Sequence, residues 1–515
     1  MLIKVPSAAH IGLDSIGVEI EINLANKGLP GFDIVGLPAK EIDESKERVR
    51  TAIANSGVDF PQKKITVNLA PADLPKEGSF YDLPIALGIL AATVGFPIPQ
   101  KSLFFGELSL DGSLRHTKGT LLLALFAKEA GFTRVYVAKD SANEAAIVKE
   151  VKVYPIESLS HLIGVLLGRK TIKPTVYREI ALSEVEGVPA GEFDMEEILG
   201  QEMAKRAAEI AAAGGHNMLM VGSPGSGKTM LARALPGILP MLNTDESLEV
   251  TKVYSAAGHM PSYGSLVKIR PFRSPHHTIS QVGLSGGGAK PQPGEITLAH
   301  RGVLFLDEFN EFPRHVLEAL RQPLEDGHIF ISRSRGRVRY PSRFMLVASA
   351  NPCPCGYLNH QKKACVCTPR DIAKYQKRVS GPIIDRIDLH VQVPDVDVRE
   401  LSQDRSAAKN LEPSRTIRER VTKARELQGF RFDKEPLHMN SEMKNAHVKK
   451  YCKLAPQVEQ ILERAALAFQ LSARSYFKMI KIARTIADLE ASQDIAVSHM
   501  AEALQYRPQI YGQGS

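Results

Sequence analysis

The sequence predicts an α/β protein of more than one domain: an N-terminal α/β domain, an α/β core with a phosphate-binding loop, and a C-terminal helical lid. Three observations carry this. Strand-like and helix-like patterns alternate through the first 170 residues. An apolar strand runs into a glycine-rich loop and a helix at "MLMVGSPGSGKTM" (218–230). From about residue 396 the apolar periodicity is helical only.

A chain of 515 residues has room for two or three domains with full cores. The beginning of the chain shows no charged-then-apolar signal pattern, and no apolar run is long enough to span a bilayer. A cytoplasmic protein without membrane contact is expected. The formal net charge of +8 and pI near 9.0 permit nucleic-acid binding without establishing it.

Taken in order, "VEIEINL" (18–24) reads as a strand, and "AKEIDESKERVRTAIANSG" (39–57) as a helix ended by glycine. "KITVNLA" (64–70) is a second strand, "DLPIALGILAATVG" (82–95) a buried helix, and "FFGELSLDGSLR" (104–115) a hairpin turning at Asp-Gly. Residues 171–190 have weak periodicity and read as a linker between a domain at 1–170 and a second α/β domain at 191–395. The remainder, 396–515, carries helices at "SRTIRERVTKARELQ", "APQVEQILERAALAFQ", "SARSYFKMIKIARTIADLE" and "SQDIAVSHMAEALQ".

The loop Gly222, Ser223, Pro224, Gly225, Ser226, Gly227, Lys228, Thr229 has the spacing of a P-loop. Its glycines let backbone N–H groups curl around phosphate, and the following helix adds partial positive charge. Lys228 is expected to reach the β- and γ-phosphates of ATP, and Thr229 to ligate magnesium. "RGVLFLDEFNEF" (301–312) supplies a buried strand with Asp307 and Glu308 at its end, Asp307 to hold magnesium and Glu308 to polarise the attacking water. A third strand, "RFMLVASAN" (343–351), ends in Asn351, whose amide can orient that water.

This arrangement resembles the AAA+ ATPases, with Asn351 as sensor 1. By the same resemblance "SGPIIDRIDLHVQV" (380–393) offers Arg386 as an arginine finger acting on a neighbouring subunit, and "LSARSYFKMIKIART" (471–485) offers Arg474 as sensor 2. The stretch at 269–302 looks like the helix-2 insertion of the magnesium-chelatase and MCM-type branch, and 325–344 like a β-hairpin preceding sensor 1. With "GLPGFDIVGLPAKEIDESKERVRTAI", "PADLPKEGSFYDLPIALGIL", "RPFRSPHHT", "NPCPCG" and "SGPIIDRID", the chain resembles the magnesium-chelatase-like ComM/YifB family over nearly its full length. The resemblance implies a hexameric ATPase that works on single-stranded or branched DNA, a branch-migration helicase in recombination of incoming DNA during natural transformation.

The N-terminal domain also resembles the proteolytic domain of Lon. Here Phe80 stands at the position of the Lon serine, Ser79 is one residue out of register, and Thr120 and Leu121 occupy the neighbourhood of the Lon lysine. A hydroxyl without a base is a poor nucleophile, so this domain is expected to be proteolytically inactive and to serve assembly or DNA binding.

Arg333, Arg335, Arg337 and Arg339 alternate, and on one strand they would share a face suited to a phosphate backbone; a merely solvated basic hairpin is the alternative. Four of the five cysteines, Cys353, Cys355, Cys365 and Cys367, form two C-x-C pairs around a polar loop. They can converge on zinc, with His360 as a substitute ligand, or remain reduced thiols. Cys452 reads as a packing residue. Two further functions compete with a DNA motor: an ATP-driven protein remodeller of the chelatase-motor type without DNA translocation, and a nucleotide-gated scaffold.

Overall fold

Residues 2–11 carry no helix signal, and they form strand β1 (Leu2–Ile11), which the sequence patterns left unassigned. Gly12, at φ +66°, turns the chain into β2 (Asp14–Ala25), longer on both sides than the expected 18–24. The computed structural model describes residues 2–26, 29–36, 40–72, 78–177, 192–261, 266–288, 291–333, 336–358, 360, 362–395 and 411–508. Most of the expected linker, and the boundary after residue 395, lie outside these.

Along β2 the side chains of Val18, Ile20, Ile22 and Leu24 are buried while Glu19 and Asn23 face water, the period of a half-covered strand. With β3 (Gly31–Val35) and β4 (Lys64–Ala70) it builds a sheet of order β1-β2-β4-β3, in which only the β3–β4 pair is parallel. The helix Asp82–Val94 is buried through its first ten residues, as its unbroken apolar run predicts. A Cβ at its Gly88 would fall 2.1 Å from Ile22 Cδ1, so glycine permits the close approach of helix and sheet. A second, parallel sheet joins β5 (Ser102–Phe104), β8 (Arg134–Ala138) and β9 (Lys152–Ile156). The expected hairpin is present as β6 (Glu107–Leu108) and β7 (Leu114–Arg115), with Asp111 Oδ1 accepting from the Ser113 N–H.

The second α/β unit is a parallel sheet of order β11-β12-β15-β10-β16: β10 (Met218–Val221), β11 (Phe272–Arg273), β12 (Val303–Leu306), β15 (Met345–Ala350) and β16 (Leu389–Gln392). Its strands are apolar at nearly every position because both faces are covered. Met218, Met220, Val303, Phe305, Met345 and Val347 point into a core shared with the helix Glu202–Gly214 and the C-terminal helices. Leu219, Val221, Leu304, Leu306, Leu346 and Ala348 point into another, completed by Phe309, Phe312 and the hairpin residues Ile331, Val338 and Tyr340.

All four expected C-terminal helices are present, as Ser414–Arg431, Pro456–Ala468, Ala473–Leu489 and Val497–Gln505. Among the described residues no helix is long and apolar enough to cross a membrane. The N-terminal unit docks on the ATPase-like core through a buried polar contact. Glu144 Oε1 accepts from Ser255 Oγ at 2.6 Å and from the Leu121 N–H at 2.9 Å, and burial raises the Glu144 pKa.

The hairpin expected at 325–344 is formed by β13 (His328–Arg333) and β14 (Gly336–Pro341). Its arginines are not on one strand, which corrects the expectation. Arg333 ends β13 opposite Gly336, Arg335 lies outside the described residues, and Arg337 and Arg339 alternate on β14 with buried Val338 between them.

Candidate functional site

Three adjacent strands of the parallel sheet end at one place. β10 leads into Gly222, whose N–H donates to Ala350 O on β15 at 3.2 Å; Asn351 follows directly, and Asp307 and Glu308 follow β12. A crevice at the carboxyl ends of parallel strands is where such sheets bind ligands.

The loop itself fits a polyphosphate. Gly225 and Gly227 have φ of +83° and +89°, and a Cβ at either would meet nothing within 4 Å, so glycine serves the backbone conformation and the concavity stays open. Gly227 also caps the helix Lys228–Ala234, which presents its N-terminus to the loop. Lys228 Nζ donates to the carbonyls of Gly222 and Ser223 at 2.8 and 2.7 Å; burial lowers its pKa, opposed by Asp307 and Asp395. Thr229 Oγ1 donates to Asp307 Oδ2 at 2.9 Å, and Ser349 Oγ meets the other oxygen of the same carboxylate. A hydroxyl and a carboxylate on a common point are the donor set of a magnesium site beside phosphate.

Glu308 sits at φ +52°, a left-handed conformation that costs a non-glycine residue about 1 kcal/mol or more. Its Oε2 is 2.9 Å from His277 Nδ1. His277 belongs to "RSPHHT", a stretch the sequence flags without giving this residue a role. Ser349 and Asp395, which meets Ser223 Oγ, were likewise missed. A lone serine or aspartate in a strand end carries no motif.

Arg386 and Arg474 are not brought to this crevice. Arg386 lies at the opposite end of the sheet: its carbonyl accepts from Asn217 Nδ2 at 3.0 Å, one residue before β10 begins. The strand between that point and the P-loop spans roughly 15 Å at ~3.3 Å per residue. Arg386 and Arg474 stand together there, on Glu325, in a cleft also lined by Lys478. Lys478 Nζ donates to the carbonyls of Asp385 and Ile387 at 2.6 and 2.8 Å, which fixes the helix Ala473–Leu489 to the Arg386 segment.

The four clustered cysteines do converge. Cys353, Cys355 and Cys365 have sulfur separations of 3.4 to 3.7 Å, and all four sulfur atoms lie within 4.8 Å of one another. None is in a disulfide. Tetrahedral zinc with bonds of about 2.3 Å places its sulfurs roughly 3.8 Å apart, so the donor set fits. Backbone N–H groups of Tyr357 and Val366 turned on Cys355 lower its pKa to about 6, while burial pushes Cys353 up to about 12. His360, expected as a substitute ligand, is engaged elsewhere. Its Nδ1 accepts from the N–H groups of Lys362 and Lys363 at 2.9 and 3.0 Å, and its Nε2 lies 2.8 Å from Asp395 Oδ2. Cys452 is buried in the lid core, as expected of a packing residue. In the N-terminal unit Ser79 Oγ meets Glu107, and Phe80 and Thr120 are buried.

The family models for the magnesium chelatase subunit ChlI match in three consecutive parts: subunit ChlI of Mg-chelatase over 18–141, magnesium chelatase subunit ChlI over 194–401, and its C-terminal region over 411–507. The chain is 42% identical over 508 residues to competence protein ComM of Haemophilus influenzae, covering 98% of this chain and 97% of that protein. It is 41% identical over 507 residues to YifB of Salmonella typhimurium, covering 98% and 96%. The magnesium-chelatase 38 kDa subunit of Rhodobacter capsulatus is more distant, at 28% identity over 179 residues, 31% of this chain and 50% of that one. On full-length identity, matched models and the sheet that carries the P-loop, this chain belongs to the magnesium-chelatase-like ComM/YifB family, with an AAA+ core between an N-terminal α/β domain and a C-terminal helical region.

Proposed function

We propose that the protein is a cytoplasmic, magnesium-dependent ATPase that assembles as a homohexamer and moves DNA, in the recombination of incoming DNA. The observation that carries the ATPase reading is the Thr229–Asp307 hydrogen bond beneath an open P-loop. Lys228 exchanges its bonds to Gly222 and Ser223 for the phosphates, and Thr229 and Asp307 hold magnesium, which supplies neutralising charge. Glu308, released from His277, takes the proton of the attacking water, and Asn351 orients that water. Arg386 and Arg474 serve a neighbouring subunit's nucleotide, a role suited to their place across the sheet from their own P-loop. We keep three domains, at 1–170, 191–395 and 396–515, and read the four thiols as a zinc site.

Similarity to a competence protein over 98% of the chain, and exposed Arg337 and Arg339 on the hairpin, support the DNA reading. Partial similarity to a magnesium-chelatase subunit favours the second reading, a remodeller of another protein. ATPase measured with and without forked or four-way DNA decides between them. Stimulation by DNA is expected, and its absence transfers the weight to protein remodelling.

A further inference from the structure

The loop that carries the cysteines touches the phosphate-binding loop twice. Gly356, at φ +82°, follows Cys355, and a Cβ there would fall 2.5 Å from Pro224 Cδ. The turn is therefore seated flush against the P-loop proline. Its shape is set by the Gly356 N–H donating to Cys353 O at 2.9 Å, with a cysteine at each side of that bond. The second contact runs through His360. Because its Nδ1 accepts two backbone N–H groups, the ring proton is on Nε2 and is donated to Asp395. Asp395 accepts in turn from Ser223 of the P-loop.

Among the described residues, a further tie on this loop is Gln376 Nε2 donating to Pro352 O at 3.3 Å. No strand or helix lies among the described residues between Asn351 and Thr368, and Val366 is 85% exposed, so the segment has no apolar core of its own. The thiol cluster is its anchor: Cys353 is fully buried, and the Cys355 N–H points at Cys367 Sγ at 3.4 Å, joining the two C-x-C arms. All four sulfur atoms lie within 4.8 Å of one another, the spacing of a tetrahedral sulfur site.

We propose that this cluster is a metal-dependent control on nucleotide binding: zinc held by Cys353, Cys355, Cys365 and Cys367 fixes the outer wall of the P-loop, and loss of zinc weakens binding of ATP. The inference rests on the zinc reading of the four thiols. If the wall is ordered a tenth of the time without metal, the apparent Kd rises about tenfold.

The test uses the full-length protein. Zinc is measured by elemental analysis, stripped with a chelator under reducing conditions and then restored, with the affinity of a fluorescent ATP analogue read in excess magnesium and the fold followed by circular dichroism. One zinc per chain, a loss of affinity of about tenfold on stripping, and recovery on zinc addition are expected. Two variants, His360→Ala and Gly356→Ala, keep all four ligands, and both are expected to retain zinc while binding the analogue more weakly. A folded, zinc-free protein with unchanged affinity overturns the coupling and leaves the zinc reading standing. Protein that neither carries nor takes up zinc overturns both. If stripping unfolds the chain, the two variants decide, and wild-type affinity in both overturns the proposal.

Discussion

Arg386 and Arg474 converge on one acceptor, Glu325 Oε1, which lies 2.6 Å from the Arg474 guanidinium and is also bonded by Arg386. The hydrogen bond from Arg474, assisted by the charge of Arg386, holds the Glu325 carboxyl below its ordinary pKa. Two cations on one carboxylate leave a net positive charge in the cleft at the end of the sheet opposite the P-loop. In the proposed assembly, that is the charge an adjoining subunit's polyphosphate would meet.

Arg386→Ala should therefore leave ATP binding to the isolated subunit within about twofold and lower hydrolysis by about 10³-fold or more. Mixing it with Lys228→Ala subunits should recover part of the rate, since some interfaces then pair an intact loop with an intact arginine. Steady-state ATPase across mixing ratios is the measurement. If no ratio recovers any hydrolysis, the assignment across subunits is wrong or the ring tolerates no dead member.

Within the crevice, Lys228 and Glu308 should separate binding from chemistry. Lys228→Ala is expected to abolish nucleotide binding. Glu308→Gln keeps the shape beside His277 and leaves Asp307 on Thr229, so binding should persist while turnover drops by about 10²–10⁴-fold. Filter binding and single-turnover hydrolysis distinguish the two. Normal turnover by Glu308→Gln would remove the role given to that residue.

The docking of the N-terminal unit should depend on pH. Burial raises the Glu144 pKa above its ordinary 4.5, so its contribution to stability is complete below that value and is lost as pH rises through the folded pKa. Glu144→Gln retains an oxygen to accept from Ser255 and Leu121 and carries no charge. The variant should melt above wild type at pH 8, with the gap closing as pH falls toward 4.5. A gap independent of pH would show that the Glu144 pKa does not change on folding, or that its effect is steric.

The crevice was legible because phosphate chemistry constrains contiguous residues: a loop of glycines, a lysine and a threonine between a strand and a helix has few other uses. The C-terminal helices were legible from their 3.6-residue period. β1 was not, because "SAAH" interrupts its apolar alternation and only pairing with β2 makes it a strand. The position of the hairpin turn was hidden for a related reason. Arginines alternate straight through it, and register is decided by Ile331 and Val338 packing beneath. His277, Ser349 and Asp395 act through partners 31, 42 and 172 residues away in the chain, and no local pattern encodes such contacts.

The placement of the turn changes which arginines to test for DNA. Arg337 and Arg339 are exposed on β14, on the same face as their cross-strand partners Ser332 and Phe330, and the Arg337 guanidinium lies 3.6 Å over the Phe330 ring. The other face is buried: Val338 packs toward Gly12 of the β1–β2 turn, and Tyr340 Oη donates to Pro291 O at 2.7 Å. A face anchored from behind and cationic in front can follow a phosphate backbone without reading bases. Arg337→Ala with Arg339→Ala should weaken binding equally for unrelated DNA sequences and flatten the salt dependence by about one unit of slope per lost phosphate contact. Basal ATPase should survive, because neither residue touches the nucleotide crevice, while stimulation by forked DNA falls. Arg337→Lys separates charge from stacking, since lysine keeps the cation but not the planar group over Phe330. Fluorescence anisotropy across a salt series, run beside ATPase with and without DNA, reads all of these. Unchanged affinity and slope in the double variant would take this face of the hairpin out of the DNA path.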